Sequence, residues 1–302
     1  MITTLSSALS TLSMVGNNGS KVHSVLNHAN ADVVLSSTEG TQFRMHNFTL
    51  KTTSGYFRST LSNAHQTSES ALFTCTLPFS DAPLERVLLM ISGLPTTPWS
   101  SFTELEDAVT VMEYLDTPGP LSLIQASFLP PVLLQSPIAV YGLAAKLGWD
   151  KVLQHAAELS LPMGNLVQRA LSDPEIEQQL KKVESAALMR LLAFHQRRRD
   201  EFRTLLYSDA FAGGNAKVGY CTRCNAIKDN SPWRDLRSRL LTEMERDTSG
   251  KWFGGREMQG WDETRGCWDA KCPNIGCRTV NYSQQMTMEN LREGVKGLPM
   301  IV

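Results

Sequence analysis

The cysteines of this chain are concentrated near its C-terminal end, where their spacing restricts what that region can form. Five of the six cysteines lie in the last 82 residues. Cys221 and Cys224 form a C-x2-C motif, and 42 residues separate them from a C-x4-C-x4-C group of Cys267, Cys272 and Cys277. Two cysteines close in sequence can hold one metal ion from a tight turn, and a second pair completes a tetrahedron of thiolates at about 2.3 Å. The spacing favours a structural zinc site formed by Cys221, Cys224, Cys272 and Cys277, with Cys267 as the alternate for either late ligand.

Three other interpretations of the cysteines stay open at this point. They are buried free thiols in a reducing compartment, a disulfide framework, and a thioredoxin-like redox pair. No histidine follows His195, so only cysteine can complete a structural site in this region. Asn225 can adopt the left-handed conformation that a metal-binding turn often needs, and Gly276 gives similar freedom beside Cys277.

The overall composition is that of a folded chain without a strong charge bias. Hydrophobic residues make up 42% of the 302 residues and charged residues 20%, with a formal net charge of −1. This balance excludes a strongly basic nucleic-acid binder by bulk charge alone. Residues 1–214 carry 15 basic and 19 acidic side chains, against 14 and 11 in residues 215–302. The C-terminal region is therefore only mildly basic.

One uncharged stretch requires a comparison with membrane-spanning helices. Residues 117–145 contain no charged side chain, and such stretches of about 18 residues or more are candidates for a membrane span. Five prolines lie inside it, and each removes a backbone donor that hydrocarbon cannot replace. We therefore expect a broken, buried connector and no membrane association. The Ser/Thr-rich stretch before Lys21 lacks the basic start of a secretory signal, and we interpret it as a flexible arm.

Hydrophobic patterning predicts a mixed α/β domain followed by helices. Short strands are expected over residues 32–35, 41–44 and 72–77. Helical periodicity follows over residues 48–61, from Asp81 onward and over residues 101–115. The predicted fold class is α+β, with an N-terminal mixed α/β domain, an all-α extension and a small Cys-rich C-terminal domain.

The motif residues of the first domain carry a resemblance to a known family. They share an Asp…Phe-x-x-His…Ser-x-x-Phe order and are Asp32, Phe43, His46, Leu50, Ser54 and Phe57. Together with the later helices, this pattern resembles a BTB/POZ domain over residues 30–115, and residues 136–161 resemble the helical extension of many fungal members. The resemblance implies protein binding or self-association and a structural role for His46 at a strand–helix junction. Dimers of the family often use a helix before the first strand. In this chain, residues 20–27 are long enough for only a short helix.

The predicted organisation has four segments. They are a flexible N-terminal arm (1–27), a BTB/POZ-like domain (28–116), a helical extension (117–212) and a Cys-rich domain (213–302), with the last limit set by the turn at 213–215.

Asp173 is expected to cap a helix that continues to Tyr207 if it is unbroken. Acidic residues follow directly after Arg197, Arg198 and Arg199, which favours a solvated helix face over a phosphate patch or localisation signal.

No catalytic motif accompanies these features, since no nucleophile or carboxylate is tied to His46 by sequence. We expect a non-enzymatic protein-interaction module inside the cell, in cytoplasm or nucleus, that binds proteins or a second copy of itself. One alternative is a substrate adaptor of a cullin-RING ubiquitin ligase, although the apolar-x-Glu signature of such adaptors is absent around Glu69. Another is a transcriptional regulator whose Cys-rich domain touches nucleic acid. The aromatic residues near it are expected to form a small core rather than to stack bases; they are Trp252, Phe253, Trp261 and Trp268.

Overall fold

The computed structural model describes residues 14–15, 21–64, 72–126, 135–208, 219–221 and 223–302. The chain divides into two compact units, Met1–Gln135 and Ser136–Val302. This division lies between the predicted limits at 116/117 and 212/213. The predicted turn at 213–215 and most of the predicted arm lie outside the described residues. A sheet with helices in the first unit and a helical second unit confirm the predicted α+β class.

The first unit is built on a mixed sheet with the spatial order β1-β2-β4-β3-β5. Its strands are β1 (Met14–Val15), β2 (Lys21–Asn27), β3 (Val33–Ser36), β4 (Gln42–Met45) and β5 (Phe73–Thr76). β3 and β4 form an antiparallel hairpin, β5 runs parallel to β3, and β2 runs parallel to β4. The three predicted strands are thus confirmed, each to within one residue at either end.

β2 corrects the expectation of a flexible arm or a short helix over residues 20–27. His23 and Leu26 are both buried there, and their three-residue spacing imitates a helical face. The spacing arises because the pairing with β4 is irregular between Val22 and Asn27, and such an irregularity shifts the alternation of side chains by one residue. The Nδ1 atom of His23 accepts the Leu26 N–H at 2.9 Å, which stabilises the irregular backbone.

Helices pack against this sheet in the first unit. In the described part of the chain they are α1 (Asn47–Thr53), α2 (Gly55–Ala64), α3 (Asp81–Ile91), α4 (Phe102–Tyr114) and α5 (Pro118–Ala126). α3 and α4 lie where periodicity predicted them. Each presents an apolar face to the interior, with Leu84, Val87 and Leu88 fully buried on α3.

The second unit is helical. Its helices, among the described residues, are α6 (Pro137–Leu147), α7 (Asp150–Ser160), α8 (Leu166–Ser172), α9 (Pro174–Lys182), α10 (Ser185–Tyr207), α11 (Ser231–Arg246), α12 (Arg256–Gln259), α13 (Asp262–Asp269) and α14 (Gln284–Lys296). The helix predicted from Asp173 to Tyr207 is two helices, because the backbone is extended at Val183, with φ −73° and ψ 133°. The Glu184 carboxylate then accepts the Ala186 N–H and caps α10.

One apolar core extends from the end of α10 through the rest of the second unit. It combines residues that the sequence assigned to the helical extension with residues of the predicted Cys-rich domain. Its buried members are Phe202, Leu206, Trp233, Leu236, Leu240, Met244, Phe253, Met258, Cys267, Tyr282, Met288, Leu291 and Leu298. The rings of Phe202 on α10 and Phe253 stack at a centroid distance of 4.7 Å. The end of α10 is therefore part of the same folded body as the region that carries the cysteines.

The uncharged segment 117–145 is divided between α5 and α6. Both helices begin at a proline, Pro118 and Pro137, where the missing N–H would have no partner within the helix. Pro120 and Ile124 of α5 are buried, as expected of a connector that packs against the protein. Within the described ranges, every helix is too short or too polar to cross a bilayer.

The arginine run on α10 corrects the expectation of a solvated helix face. Arg198 is 2% exposed and Arg199 is 8% exposed, whereas Arg197 lies on the surface. The Nε atom of Arg199 lies 3.3 Å from a carboxylate oxygen of Glu245. Arg198 donates to backbone carbonyl groups of two other segments. These buried guanidinium groups tie α10 to the chain that surrounds it.

His195 is a buried histidine on the same helix, with 1% of its surface exposed. Its Nδ1 lies 2.9 Å from the Gly164 carbonyl oxygen and its Nε2 lies 2.8 Å from the Ser160 hydroxyl. A carbonyl oxygen only accepts, so the neutral ring donates from Nδ1 and accepts the Ser160 O–H at Nε2. The pKa of His195 is lowered from 6.5 to about 4, mainly by burial; the hydrogen bond to Gly164 opposes this shift, and the charges of Arg199 and Arg198 add to it.

This arrangement predicts a loss of stability in acid. The imidazole binds a proton near pH 6.5 in the unfolded chain but only near pH 4 in the folded protein. Between pH 6.5 and pH 4 the unfolded state therefore binds more protons, and the free energy of unfolding falls as the pH decreases through this range. We expect His195 to contribute a loss of about 2 kcal/mol between about pH 7 and pH 5. Urea unfolding at the two pH values measures it, with His195→Gln as the control that cannot titrate.

The expected observation is a smaller acid-induced loss in His195→Gln than in the parent chain. The loss measured for the variant is subtracted from the loss measured for the parent, because protonation of the cysteines also changes the stability in this pH range. Should the variant fail to fold, NMR titration of His195 in the parent gives the answer. A ring that becomes protonated near pH 6.5 in the folded protein contradicts the prediction.

Candidate metal centre

The structure brings together the four cysteines that the spacing favoured. Cys221, Cys224, Cys272 and Cys277 place their Sγ atoms within 4.8 Å of one another. The Sγ atoms of Cys221 and Cys277 are 3.7 Å apart, and those of Cys224 and Cys272 are 3.4 Å apart. Thiolates at 2.3 Å from the centre of a tetrahedron are separated by about 3.8 Å. The four thiols are therefore spaced as the ligands of one metal ion.

The first pair lies in a short hairpin whose backbone aims both thiols inward. Tyr220 and Ile227 form an isolated antiparallel bridge, and the Cys221 N–H donates to the Ala226 carbonyl at 2.8 Å. Asn225 follows the second cysteine with φ +57° and donates its N–H to the Cys221 carbonyl at 2.9 Å. This left-handed residue closes the turn, as the sequence predicted for Asn225.

The second pair lies in a hairpin of similar design. Lys271 and Val280 form its bridge, and the Cys272 N–H donates to the Thr279 carbonyl at 2.8 Å. Arg278 follows the second cysteine with φ +48° and donates its N–H to the Asn274 carbonyl at 3.1 Å. Arg278 is therefore the counterpart of Asn225 in the first hairpin. We call these two hairpins, residues 219–228 and 271–280, the knuckles.

The second knuckle explains why a C-x4-C spacing serves as well as C-x2-C. Asn274 stands three residues before Cys277, where the first knuckle has Cys221 relative to Cys224. Cys272 lies two residues before Asn274, and the Cys272 thiol accepts the Asn274 N–H. The prediction that Gly276 supplies left-handed freedom beside Cys277 is wrong, since the left-handed residue is Arg278.

Cys267, the predicted alternate ligand, is not in the cluster. It lies on α13, is fully buried and belongs to the apolar core of the second unit. Burial raises the pKa of its thiol to about 12. A thiol that is held neutral among apolar side chains has a packing role.

The backbone around the cluster favours thiolate at two of the four positions. N–H groups of Arg223 and Cys224 lower the pKa of Cys221. The Thr279 hydroxyl and N–H lower that of Cys277, whose Sγ lies 3.2 Å from the hydroxyl oxygen. Burial raises the pKa of Cys272, which is completely shielded from solvent. Hydrogen bonds to thiolate sulfur are the outer contacts that hold metal ligands in place.

The geometry also bears on the other interpretations of the cysteines. A disulfide requires sulfur atoms about 2.05 Å apart, and all six cysteines are free in the described structure. Cys221 and Cys224 lie in a hairpin turn and not at the start of a helix after a core strand, as a thioredoxin-like pair would. What distinguishes a metal site from a group of free thiols is the convergence of two separate knuckles on one centre.

The left-handed conformation of Arg278 gives a prediction. This conformation costs a residue with a side chain about 1–2 kcal/mol, part of which glycine would recover. We expect Arg278→Gly to raise the free energy of unfolding by about 0.5–1 kcal/mol without changing the metal content. Urea unfolding of the metal-loaded protein measures this gain. Asn225→Gly is the matched control with a smaller expected gain, because asparagine tolerates the left-handed region, and a destabilised Arg278→Gly would contradict the argument.

The motif residues of the first unit have structural roles. Phe43, Leu50 and Phe57 are fully buried. The Ser54 hydroxyl donates to the Leu115 carbonyl at 2.5 Å and accepts the Phe57 N–H, which joins the start of α2 to the end of α4.

The remaining motif residues lie at the junction of β4 and α1. The Asp32 carboxylate accepts the Asn47 N–H at 2.6 Å. His46 lies at the junction itself, and its ring lies 4.9 Å from that of His28. These contacts fix the start of α1, which is a packing function.

The aromatic residues near the cysteines also contribute mainly to packing. Phe253 is a buried core residue, and Trp261 and Trp268 pack against the core. Trp252 is 40% exposed, and its Nε1 donates to the Asp247 carboxylate. This arrangement fits the predicted small core and gives no row of exposed rings for stacking bases.

Comparisons with known proteins give no family for this chain. No family model matches it, and no curated protein matches it. The BTB/POZ resemblance therefore rests on the sequence pattern of residues 30–115 and 136–161 alone.

Proposed function

We propose that this chain is a non-enzymatic protein-interaction scaffold, in which a BTB/POZ-like first unit binds proteins or a second copy of itself and a structural zinc ion joins the knuckles of the second unit. The observation that carries the metal part of the proposal is the closed set of four thiols. Catalytic zinc sites keep one position for water or substrate, whereas structural sites fill all four with protein ligands. Four cysteines leave no such open position.

Zinc is the proposed metal because all four donors are sulfur. Soft thiolate ligands select zinc, copper(I) or iron–sulfur centres over magnesium, calcium and manganese. Thiols within 4.8 Å of one another surround a single ion rather than a larger cluster. Such a site requires reduced cysteines, which supports a location in the cytoplasm or nucleus.

The binding role of the first unit is supported by what its motif residues do. Ser54, Phe57 and Asp32 hold elements together, and the His46 ring lies beside that of His28 at the strand–helix junction. At the same place α1 exposes Phe48, whose side chain is 81% accessible. An exposed phenylalanine on a helix that buries Leu50 is the type of residue that is enriched in protein interfaces.

A tagged pull-down from the native cell, analysed by mass spectrometry, tests this function. The parent chain is compared with Phe48→Ser and with Leu171→Ser, a control on α8 whose side chain is 87% exposed. We expect stoichiometric protein partners, or the chain itself, with the parent and with Leu171→Ser. Phe48→Ser should reduce their recovery because it removes an apolar anchor without opening the core.

Other outcomes would replace the proposal. A cullin with its RING partner among the stoichiometric proteins favours the adaptor alternative despite the missing signature. Recovery of nucleic acid in place of any protein favours the transcriptional regulator. If Phe48→Ser recovers the same partners as the parent chain in equal amounts, the binding surface does not include Phe48 of α1.

A further inference from the structure

A cavity lies between α8 and α10 of the second unit. Its volume is about 240 Å³, and its walls come from the start of α8 and from one side of α10. The residues that line it are Asn165, Leu166, Val167, Met189, Leu192, Ala193, His195, Gln196 and Arg199. No described cysteine is among them, so the proposed metal centre does not account for this cavity.

The walls of the cavity are mainly apolar, with polar groups toward the later part of α10. Residues three and four positions apart on a helix share one face. The lining residues of α10 that follow this spacing are Met189, Leu192, Ala193, Gln196 and Arg199. Leu166 and Val167 of α8 add to the apolar wall. Along α10 the apolar residues come first, and Gln196 and Arg199 follow one and two turns after Leu192.

Arg199 contributes a buried charge to the cavity wall, since only 8% of its surface is exposed. Its Nε atom lies 3.3 Å from a carboxylate oxygen of Glu245, and its Nη2 donates to the amide oxygen of Gln196 at 2.5 Å. Among the described residues, no group accepts a hydrogen bond from Nη1. A buried donor without an acceptor costs free energy, which a bound water or ligand can recover.

The shape of the guanidinium indicates which group would complete its hydrogen bonds. The two terminal nitrogens of an arginine form a fork that matches the two oxygens of a carboxylate. Gln196 offers only one oxygen, so Nη2 has an acceptor and Nη1 has none. Because the two nitrogens lie side by side, a carboxylate that replaces the Gln196 amide at Nη2 also reaches Nη1. The Gln196 side chain is exposed, so it has room to turn away.

The surrounding charges favour an anion in this position. Arg199 forms an ion pair with Glu245, whereas the adjacent Arg198 donates to carbonyl groups, which carry no net charge. Asp200, which accepts from the Gln196 amide nitrogen, is itself paired with Arg203 at 3.2 Å. A ligand carboxylate would therefore meet two buried guanidinium groups and carboxylates that already have partners.

The volume restricts the ligand to a small molecule. One water occupies about 30 Å³ in the liquid, so a cavity of about 240 Å³ holds about eight non-hydrogen atoms. A carboxylate uses three of them and leaves about five for an aliphatic chain. Such a chain gains free energy when it is buried against apolar walls. Inorganic phosphate would satisfy the guanidinium but leave the apolar part of the cavity unfilled.

We propose that this cavity binds a carboxylate on a short aliphatic chain, with the chain among the apolar residues of α8 and α10 and the carboxylate on Nη1 and Nη2 of Arg199. In the unliganded protein the Gln196 amide takes part of the carboxylate's place. A free acid and the C-terminal residue of a peptide that ends in leucine both offer this chemical group. The proposal is independent of the metal centre and of the binding role of the first unit.

Isothermal titration calorimetry of the full chain with hexanoate tests the proposal. Acetate lacks the chain, 1-hexanol lacks the carboxylate, and the peptide Gly-Gly-Gly-Leu represents the peptide source. Arg199→Lys keeps the charge but not the fork, Gln196→Ala removes the competing amide, and Ala193→Leu fills the cavity. Ala186→Leu is the matched control for the last variant, because Ala186 is an exposed residue two turns earlier on α10 and outside the cavity walls.

We expect hexanoate to bind, and acetate and 1-hexanol to bind at least about tenfold more weakly. Arg199→Lys and Ala193→Leu should each weaken hexanoate binding at least about tenfold, whereas Ala186→Leu should not change it. Gln196→Ala should strengthen binding about threefold, because no amide competes for Nη2. Tighter binding of hexanoate than of the peptide identifies a free acid as the ligand, and the reverse order identifies a peptide terminus; both results support the site.

Three results would overturn the proposal. Equal binding of hexanoate and 1-hexanol means that the guanidinium takes no part. Hexanoate binding that Ala193→Leu leaves unchanged places the acid elsewhere on the protein. Absence of binding by the folded parent chain at millimolar hexanoate and peptide rejects the site. If circular dichroism shows that Arg199→Lys is unfolded, Gln196→Ala and Ala193→Leu still decide the question, because both replace exposed residues.

Discussion

Replacing Cys272 by serine is expected to remove the metal and destabilise the second unit by more than about 4 kcal/mol. Cys272 is fully buried, and its Sγ lies 3.4 Å from that of Cys224 in the opposite knuckle. A serine hydroxyl is a poor replacement for a thiolate on zinc, so the two knuckles lose the ion that joins them. Metal analysis gives the zinc per chain, and urea unfolding followed by tryptophan fluorescence gives the stability, since Trp233 lies in the apolar core of the second unit.

Cys267→Ala is the matched control for this experiment. Cys267 is equally buried in the same unit but lies outside the thiol cluster. We expect it to retain zinc and to cost about 1 kcal/mol, as for the loss of one small core group. A chelator should lower the stability of the parent and of Cys267→Ala but not that of Cys272→Ser. Full zinc content in Cys272→Ser, or its loss in Cys267→Ala, would assign the ligands differently.

The metal centre shows how far sequence spacing can identify a site. The C-x2-C motif places Cys221 and Cys224 in one turn, because so short a spacing leaves few other geometries. The later group was ambiguous, since Cys267, Cys272 and Cys277 have equal spacings. The choice among them depends on α13, which carries Cys267 into the core, and on Asn274, which takes the turn position that a cysteine would normally fill.

The fold was predictable where one local signal was sufficient. Turn residues and alternating apolar residues identified β3, β4 and β5, and proline and polar caps identified the starts of several helices. β2 was missed because its irregular pairing gives a strand the periodicity of a helix. The break before α10 was missed because Val183 keeps its place in the apolar pattern while its backbone is extended. In both places a tertiary contact decides what the local pattern leaves open.

The buried arginine on α10 was also beyond the reach of sequence patterning, because three successive arginines followed by acidic residues suggest solvent. The guanidinium of Arg198 instead donates to the carbonyls of Thr248 (3.2 Å), Ser249 (3.3 Å) and Pro299 (2.5 Å). It also reaches the Leu298 carbonyl at 3.5 Å. A planar group with five donors can join two separate segments in this way. These segments are the loop after α11 and the C-terminal tail.

Replacing Arg198 by methionine is therefore expected to destabilise the second unit by about 3–5 kcal/mol. Methionine keeps much of the apolar stem but leaves several carbonyl groups buried without a donor. Arg197→Met is the matched control: the side chain is exposed, makes one contact to the Ile301 carbonyl at 3.2 Å, and should cost less than about 1 kcal/mol. Urea unfolding gives both values, and hydrogen exchange shows whether the tail is released. Equal losses in the two variants, or a protected tail in Arg198→Met, would mean that packing rather than these hydrogen bonds holds the C-terminal segment to α10.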